Sequence, residues 1–327
     1  MTGAARPAPT TFYREIARNR RRSWILVAIV VITLGLLGGV IGYATGFGWG
    51  GVVLALVVAT FMSVGSFYAG DALVMATSGA REIDLTKTPP DRFQQVVNIV
   101  EEMRLAGGLP RPRVWVIEDS APNAFATGRD PEHASVAVTT GLLDKLDREE
   151  LQGVIGHEMS HIGNLDIRFT LLVGVLVGSI ALLADWFLRF TFWGGGGRRS
   201  SSDSDRGGGG AAALIFTLAI VLAIVAPLIG RLIQAAVSRS RESLADSTAV
   251  EMTRNPLGLA RALRAISDDT EVLEVANRAT QHLYIVNPIK SFEERAKSLW
   301  DTHPPIGERI AALENIAGQL GVQRPAG

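Results

Sequence analysis

From Trp24 to Phe47 the chain runs without one charged residue, long enough for a helix to cross a hydrocarbon core of about 30 Å, which takes ~20 apolar residues. A second uncharged block follows from Trp49 to Ala69. The first run exceeds the apolar part of a secretory signal, and the second comes at once, so residues 24–70 read as an uncleaved membrane hairpin. Arg14, Arg18, Arg20, Arg21 and Arg22 precede it in a basic segment, residues 1–23. Positive residues flanking a first span tend to stay in the cytoplasm, and two crossings return the chain there near Asp71.

Beyond Asp71 the composition becomes that of a water-soluble α+β unit, residues 71–168. Pro90-Asp91 opens a helix with Phe93, Val96, Val97, Val100 and Met103 at helical spacing, and Gly107-Gly108 ends it. Val114–Ile117 and Ser135–Thr140 read as strands and Pro122–Thr127 as an extended segment, with a turn at Gly128–Pro131. Together they make a small sheet. Asp147 and Glu150 have the spacing of a capping box and open a helix that stops at Gly163-Asn164.

Two more apolar blocks, Phe169–Ala184 and Ala211–Ile229, make a second membrane hairpin, residues 169–230. Between them lies a Gly/Ser-rich loop, residues 194–210. Whether these blocks cross the bilayer or form a re-entrant hairpin, the chain after Arg231 lies on the same side as the helix at His157. The second part of the soluble unit is then residues 231–327. A chain with 47% hydrophobic residues and zero net charge has no concentrated basic stripe, which sets nucleic acid aside. The absence of cysteine excludes disulfides and thiolate sites.

The chemistry sits at His157-Glu158-Met159-Ser160-His161. On a helix, i,i+4 spacing stacks both imidazoles on one face, where they can share one zinc ion, with Glu158 beside the open coordination position. The bland alternative is a pair of surface histidines on an amphipathic helix. A catalytic zinc needs a third protein ligand, and Glu242 with Asp246 at i,i+4 offers one ligand and one carboxylate to orient a liganding histidine. Arg239 and Arg241 pair with this neighbourhood or are solvated.

These motifs, with Pro122–Ala126 ahead of them and His303-Pro304-Pro305 followed by Arg309 behind, resemble the M48 family of metallopeptidases, and the four-block layout resembles its HtpX branch. The resemblance covers most of the chain. Ser243 departs from it, standing where the family usually has an aromatic.

The resemblance implies an α+β, mainly helical zincin of the gluzincin type, with a small β-sheet and about four membrane-embedded helices. It implies His157, His161 and Glu242 as ligands of one Zn2+, Glu158 as proton carrier, and Asp246 as hydrogen-bond partner of His157. It further implies His303 as oxyanion donor, for which a simple helix-entry turn is the alternative, and Asn123, Ala124, Phe125 and Ala126 as a substrate-pairing edge strand. The expected activity is a membrane-bound zinc endopeptidase of the bacterial inner membrane, its site facing the cytoplasm, acting on damaged or misfolded membrane proteins. Its partners are polypeptides and the lipid bilayer, with the oligomeric state open. The alternatives are a specific processing peptidase related to the prenyl proteases and a non-catalytic zinc-stabilised scaffold.

Overall fold

The computed structural model describes residues 49–86, 89–171, 241–269 and 305–321, with Arg21, Ile25, Ala28 and Ile32 ahead of them. Most of the first membrane block, residues 172–240 and residues 270–304 lie outside the described residues. So do His303 and the loop 194–210.

The described architecture is mainly helical with one small mixed sheet. Helix α1 (Trp49–Thr77) leads into β1 (Arg81–Glu82) and α2 (Asp91–Gly107), then β2 (Arg113–Ile117), β3 (Ala124–Gly128) and β4 (Ala134–Thr139). Two helices follow, α3 (Thr140–Lys145) and α4 (Arg148–Gly163). The C-terminal part supplies α5 (residues 241–253), α6 (Pro256–Ser267) and α7 (Ile306–Gln319).

Helix α2 ends as its glycines dictate, with Gly108 at φ 62° directing its N–H back to the carbonyls of Arg104 and Leu105. The expected strands are present, joined by β1. The sheet order is β1-β2-β4-β3, with β2 parallel to β4 and β3 antiparallel to β4, so β3 is an edge strand. Thr139 closes β4 and caps α3, its side chain accepting from the N–H of Leu142.

Helix α4 is the core helix. Its start is a reciprocal capping box: the Asp147 carboxylate accepts from the Glu150 N–H at 2.8 Å, and Glu150 accepts from the Asp147 N–H at 3.0 Å. Leu151, Val154, Ile155, Met159 and Ile162 are buried against α2, α6 and the sheet, each contributing roughly 1.5–3 kcal/mol of burial. Helix α6 crosses α4 closely because both carry glycine at the contact. A Cβ on Gly153 would stand 2.6 Å from the Leu259 nitrogen, and one on Gly258 would stand 2.7 Å from the Glu149 carbonyl oxygen.

Helix α1 runs through Asp71, whose carboxylate pairs with Arg113 of β2 at 2.6 Å. Val53, Val57, Phe61 and Val64 of α1 are exposed. Among the described residues no helix is long and apolar enough to cross a membrane, so the count of four membrane helices passes to the proposal below.

Candidate metal centre

One turn apart on α4, His157 and His161 present their rings edge to face, with centroids 4.7 Å apart. Their Nε2 atoms are 3.2 Å from each other. Glu242 on α5 closes the group, with one carboxylate oxygen 3.5 Å from His157 Nε2 and the other 3.5 Å from His161 Nε2. Four ligands at 2.0–2.1 Å in a tetrahedron are separated by about 3.3 Å, which these spacings match. Two imidazoles and a carboxylate are the donor set of a catalytic zinc that keeps one position open. Among the described residues this is the only group of three or more such side chains that could hold a metal.

The surroundings fix the rings. His157 is fully buried and its Nδ1 lies 2.9 Å from Asp246 Oδ1. Asp246 is gripped in turn by Arg309 of α7, whose Nε and Nη2 donate to its two oxygens at 2.9 and 2.7 Å. The same guanidinium reaches Glu242 at 3.3 Å and is itself buried. Burial favours the neutral form of Asp246, but Arg309 and His157 outweigh it and bring its carboxyl down to about 2. Burial and Arg309 both oppose a proton on His157, yet hydrogen bonds to Asp246 and Glu242 lift its value to about 9 in the metal-free protein.

His161 has its own carboxylate. Asp166 Oδ2 lies 3.0 Å from His161 Nδ1, and Asp166 Oδ1 lies 3.5 Å from Arg241 Nε. Arg241 is buried, with its guanidinium carbon 4.5 Å from the centre of the Phe169 ring. Its alternative reading as a solvated residue therefore fails, and its carboxylate partner here is Asp166.

Glu158 is 2% exposed. Burial raises its pKa, against the pull of the two histidines and a hydrogen bond from the Ala126 N–H. A buried carboxylate so raised is a stronger base. The N–H of Ala126 belongs to edge strand β3. Thr139 donates to the Asn123 carbonyl at 3.0 Å, so in the alternation of an antiparallel pair Asn123, Phe125 and Thr127 turn their main chain to β4, and Ala124 and Ala126 turn theirs to the side that no described strand covers. The Ala124 N–H donates to the Asn123 side chain at 3.1 Å.

Residues 90–317 match the sequence profile of Peptidase family M48. The chain belongs to peptidase family M48. Curated relatives named Protease HtpX homolog agree: that of Listeria monocytogenes serotype 4b is 42% identical over 307 residues, covering 93% of this chain and 99% of its own. The homologues of Streptococcus thermophilus and Lactiplantibacillus plantarum are 43% and 45% identical over 305 residues, each with the same coverage. A crystal structure of S. mikatae Ste24p aligns with 90% of this chain and 67% of its own at 18% identity and a TM-score of 0.41, too loose a likeness to bear on the site.

As an M48 member the chain is a metalloprotease, and His157, His161 and Glu242 suit a single zinc ion. The structure brings His157, Glu158, His161, Glu242 and Asp246 together, and of the strand from Asn123 to Ala126 it sets the Ala126 N–H against Glu158. Two M48 site neighbours escaped sequence reasoning. Asp166 carries no spacing signal, because it reaches His161 from beyond the left-handed turn residue Leu165 at φ 59°. Arg309 was visible as the arginine after His303-Pro304-Pro305, but nothing in that motif says which charges it meets.

Proposed function

We propose that this M48 protease is a membrane-embedded zinc endopeptidase that clears damaged or misassembled membrane proteins, working from the cytoplasmic side of the bacterial inner membrane. The observation that carries the chemistry is the convergence of His157, His161 and Glu242, with the buried base Glu158 beside them. The membrane reading is supported by the two uncharged runs before Asp71 and by the exposed apolar side chains of α1. About four membrane-embedded helices and the cytoplasmic side follow from the apolar blocks and the N-terminal arginines.

When bound, zinc activates water and polarises the scissile carbonyl. His157, His161 and Glu242 would hold it. Glu158 accepts the proton of the attacking water and delivers it to the leaving amine. Asp246 keeps the Nδ1 of His157 engaged, leaving its Nε2 directed at His161 and Glu242, where the ion would be held. The unpaired edge of β3 receives an extended substrate through the main chain of Ala124 and the carbonyl of Ala126, and the substrate's carbonyl competes with the Asn123 side chain for the Ala124 N–H. His303, outside the described residues, is the oxyanion donor in this reading.

Zinc content and casein cleavage of detergent-purified protein, compared with chelated protein, test the activity; cleavage that survives removal of the metal refutes it. The topology is tested by single cysteines at Ser120, Ser204 and Ser267 in this cysteine-free chain. Ser120→Cys and Ser267→Cys should react with a membrane-impermeant thiol reagent only after permeabilisation. Opposite behaviour of these two positions contradicts the shared metal site. Labelling of Ser204→Cys in intact cells means that both later blocks cross; protection means a re-entrant or surface hairpin.

A further inference from the structure

The pair Asp246–Arg309 serves His157, and His161 has a separate pair, Asp166–Arg241. We infer that Asp166 and Arg241 are positioning residues for the metal, a buried ion pair that orients the His161 imidazole and ties it to the helix that delivers Glu242. The inference rests on the zinc-peptidase reading above and adds to it two residues that the ligand motifs do not contain.

Several observations converge on it. Asp166 and Arg241 are each 3% exposed, and a buried carboxylate and guanidinium are costly to keep unless each meets an opposite charge. Asp166 uses its two oxygens for different tasks: Oδ2 lies 3.0 Å from His161 Nδ1 and Oδ1 lies 3.5 Å from Arg241 Nε. With Nδ1–H donated to Asp166, the lone pair of Nε2 points into the group formed with His157 and Glu242, 3.2 and 3.5 Å away.

The backbone is bent to make this contact. Asp166 follows Leu165, one of two non-glycine residues with positive φ among those described, a conformation costing on the order of 1 kcal/mol for such a side chain. That left-handed residue lies just past the end of α4, before the chain becomes helical again at 166–171, and Asp166 beyond it meets His161 of α4. On the other side, Arg241 immediately precedes Glu242 in sequence. Its guanidinium is held against Phe169, which lies three residues beyond Asp166. A displacement of Arg241 therefore moves the backbone that carries the third ligand and the carboxylate that orients the second. The two parts of the soluble unit, on either side of residues 172–240, are joined at the metal by this pair.

The test uses the full chain in detergent, comparing wild type with Asp166→Asn, Arg241→Met and Arg241→Lys. Three quantities are read: zinc affinity by competition with a chelator, the visible absorption spectrum after Co2+ replaces zinc, and the thermal midpoint of the metal-free protein. Asp166→Asn should weaken zinc binding by about 10–100-fold and change the Co2+ spectrum, as losses of such partners do. Arg241→Met should also weaken binding, with Arg241→Lys recovering part of the loss because it keeps a charge facing Asp166. Asp166→Glu keeps the charge and serves if Asp166→Asn does not fold; its displaced carboxylate should shift the Co2+ spectrum. Variants that melt earlier yet bind zinc and Co2+ as wild type does would overturn the inference, leaving an ion pair that only supports the fold. Wild-type protein without zinc affinity would instead sink the peptidase reading itself.

Discussion

His157 Nδ1 stands 2.9 Å from Asp246 Oδ1, and both oxygens of Asp246 are held by Arg309. One imidazole of the candidate metal centre is thus oriented by a carboxylate from α5 that is itself fixed by an arginine from α7. Two segments far apart in sequence stabilise one imidazole.

Arg309→Met should destabilise the protein by about 3–5 kcal/mol, since it leaves the Asp246 carboxylate buried without its main counter-charge. Arg309→Lys should recover only part of that, because an ammonium cannot reproduce the two-pronged contact. Chemical denaturation of the metal-free proteins measures both. A wild-type midpoint in Arg309→Met would show that Arg309 contributes nothing to the fold.

Glu158→Gln should retain zinc and lose at least ~10² in turnover, because the side chain carries protons and is not placed as a ligand. By contrast, His157→Ala, His161→Ala and Glu242→Ala should lose the metal. Metal analysis beside cleavage of casein separates the two classes. Equal zinc occupancy in Glu242→Ala and wild type would remove Glu242 from the ligand set.

Zinc binding should depend on pH through His157. A proton held up to about pH 9 in the metal-free protein must leave before the ring can bind metal, so apparent affinity should rise roughly tenfold per pH unit through neutrality and level off near that value. Stability of the metal-free protein has the opposite trend. His157 titrates higher folded than its ordinary 6.5, so its contribution is complete below 6.5 and disappears as pH climbs through about 9. Asp246 lies below its ordinary 3.8, so its contribution is present above 3.8 and disappears as pH falls through about 2. Chelator competition across pH checks the first trend, and an affinity independent of pH would contradict it.

Gly153→Ala should destabilise the protein by about 1–3 kcal/mol, the usual cost of overpacking. The new methyl would meet the backbone of α6 at Leu259, 2.6 Å from its nitrogen and 2.7 Å from its Cα. Backbone cannot rotate away as a side-chain tip does. Gly307→Ala makes the control, since an added Cβ there meets nothing within 4 Å. Similar melting temperatures for the two variants would argue against a tight α4–α6 crossing.

The local elements and the two histidines of the metal centre were legible in the sequence because each depends on short-range rules, whereas Glu242, 81 residues beyond His161, was reached through the family motif. Asp147 and Glu150 announce the start of α4 through a capping box, Gly107-Gly108 announces the end of α2, and a four-residue step puts His157 and His161 on one helical face. Sequence also separated Glu158 from the ligands, since its position one residue after His157 turns it to a different part of the helix surface. The partnerships of Asp166 and Arg309 had no such local code. Asp166 meets His161 only beyond the left-handed turn at Leu165, and Arg309 meets Asp246 only once α7 packs against α6. A charged side chain in a sequence carries no mark of the charge it will face; burial decides that, by making an unpaired charge too costly to keep and leaving tertiary packing to supply its partner.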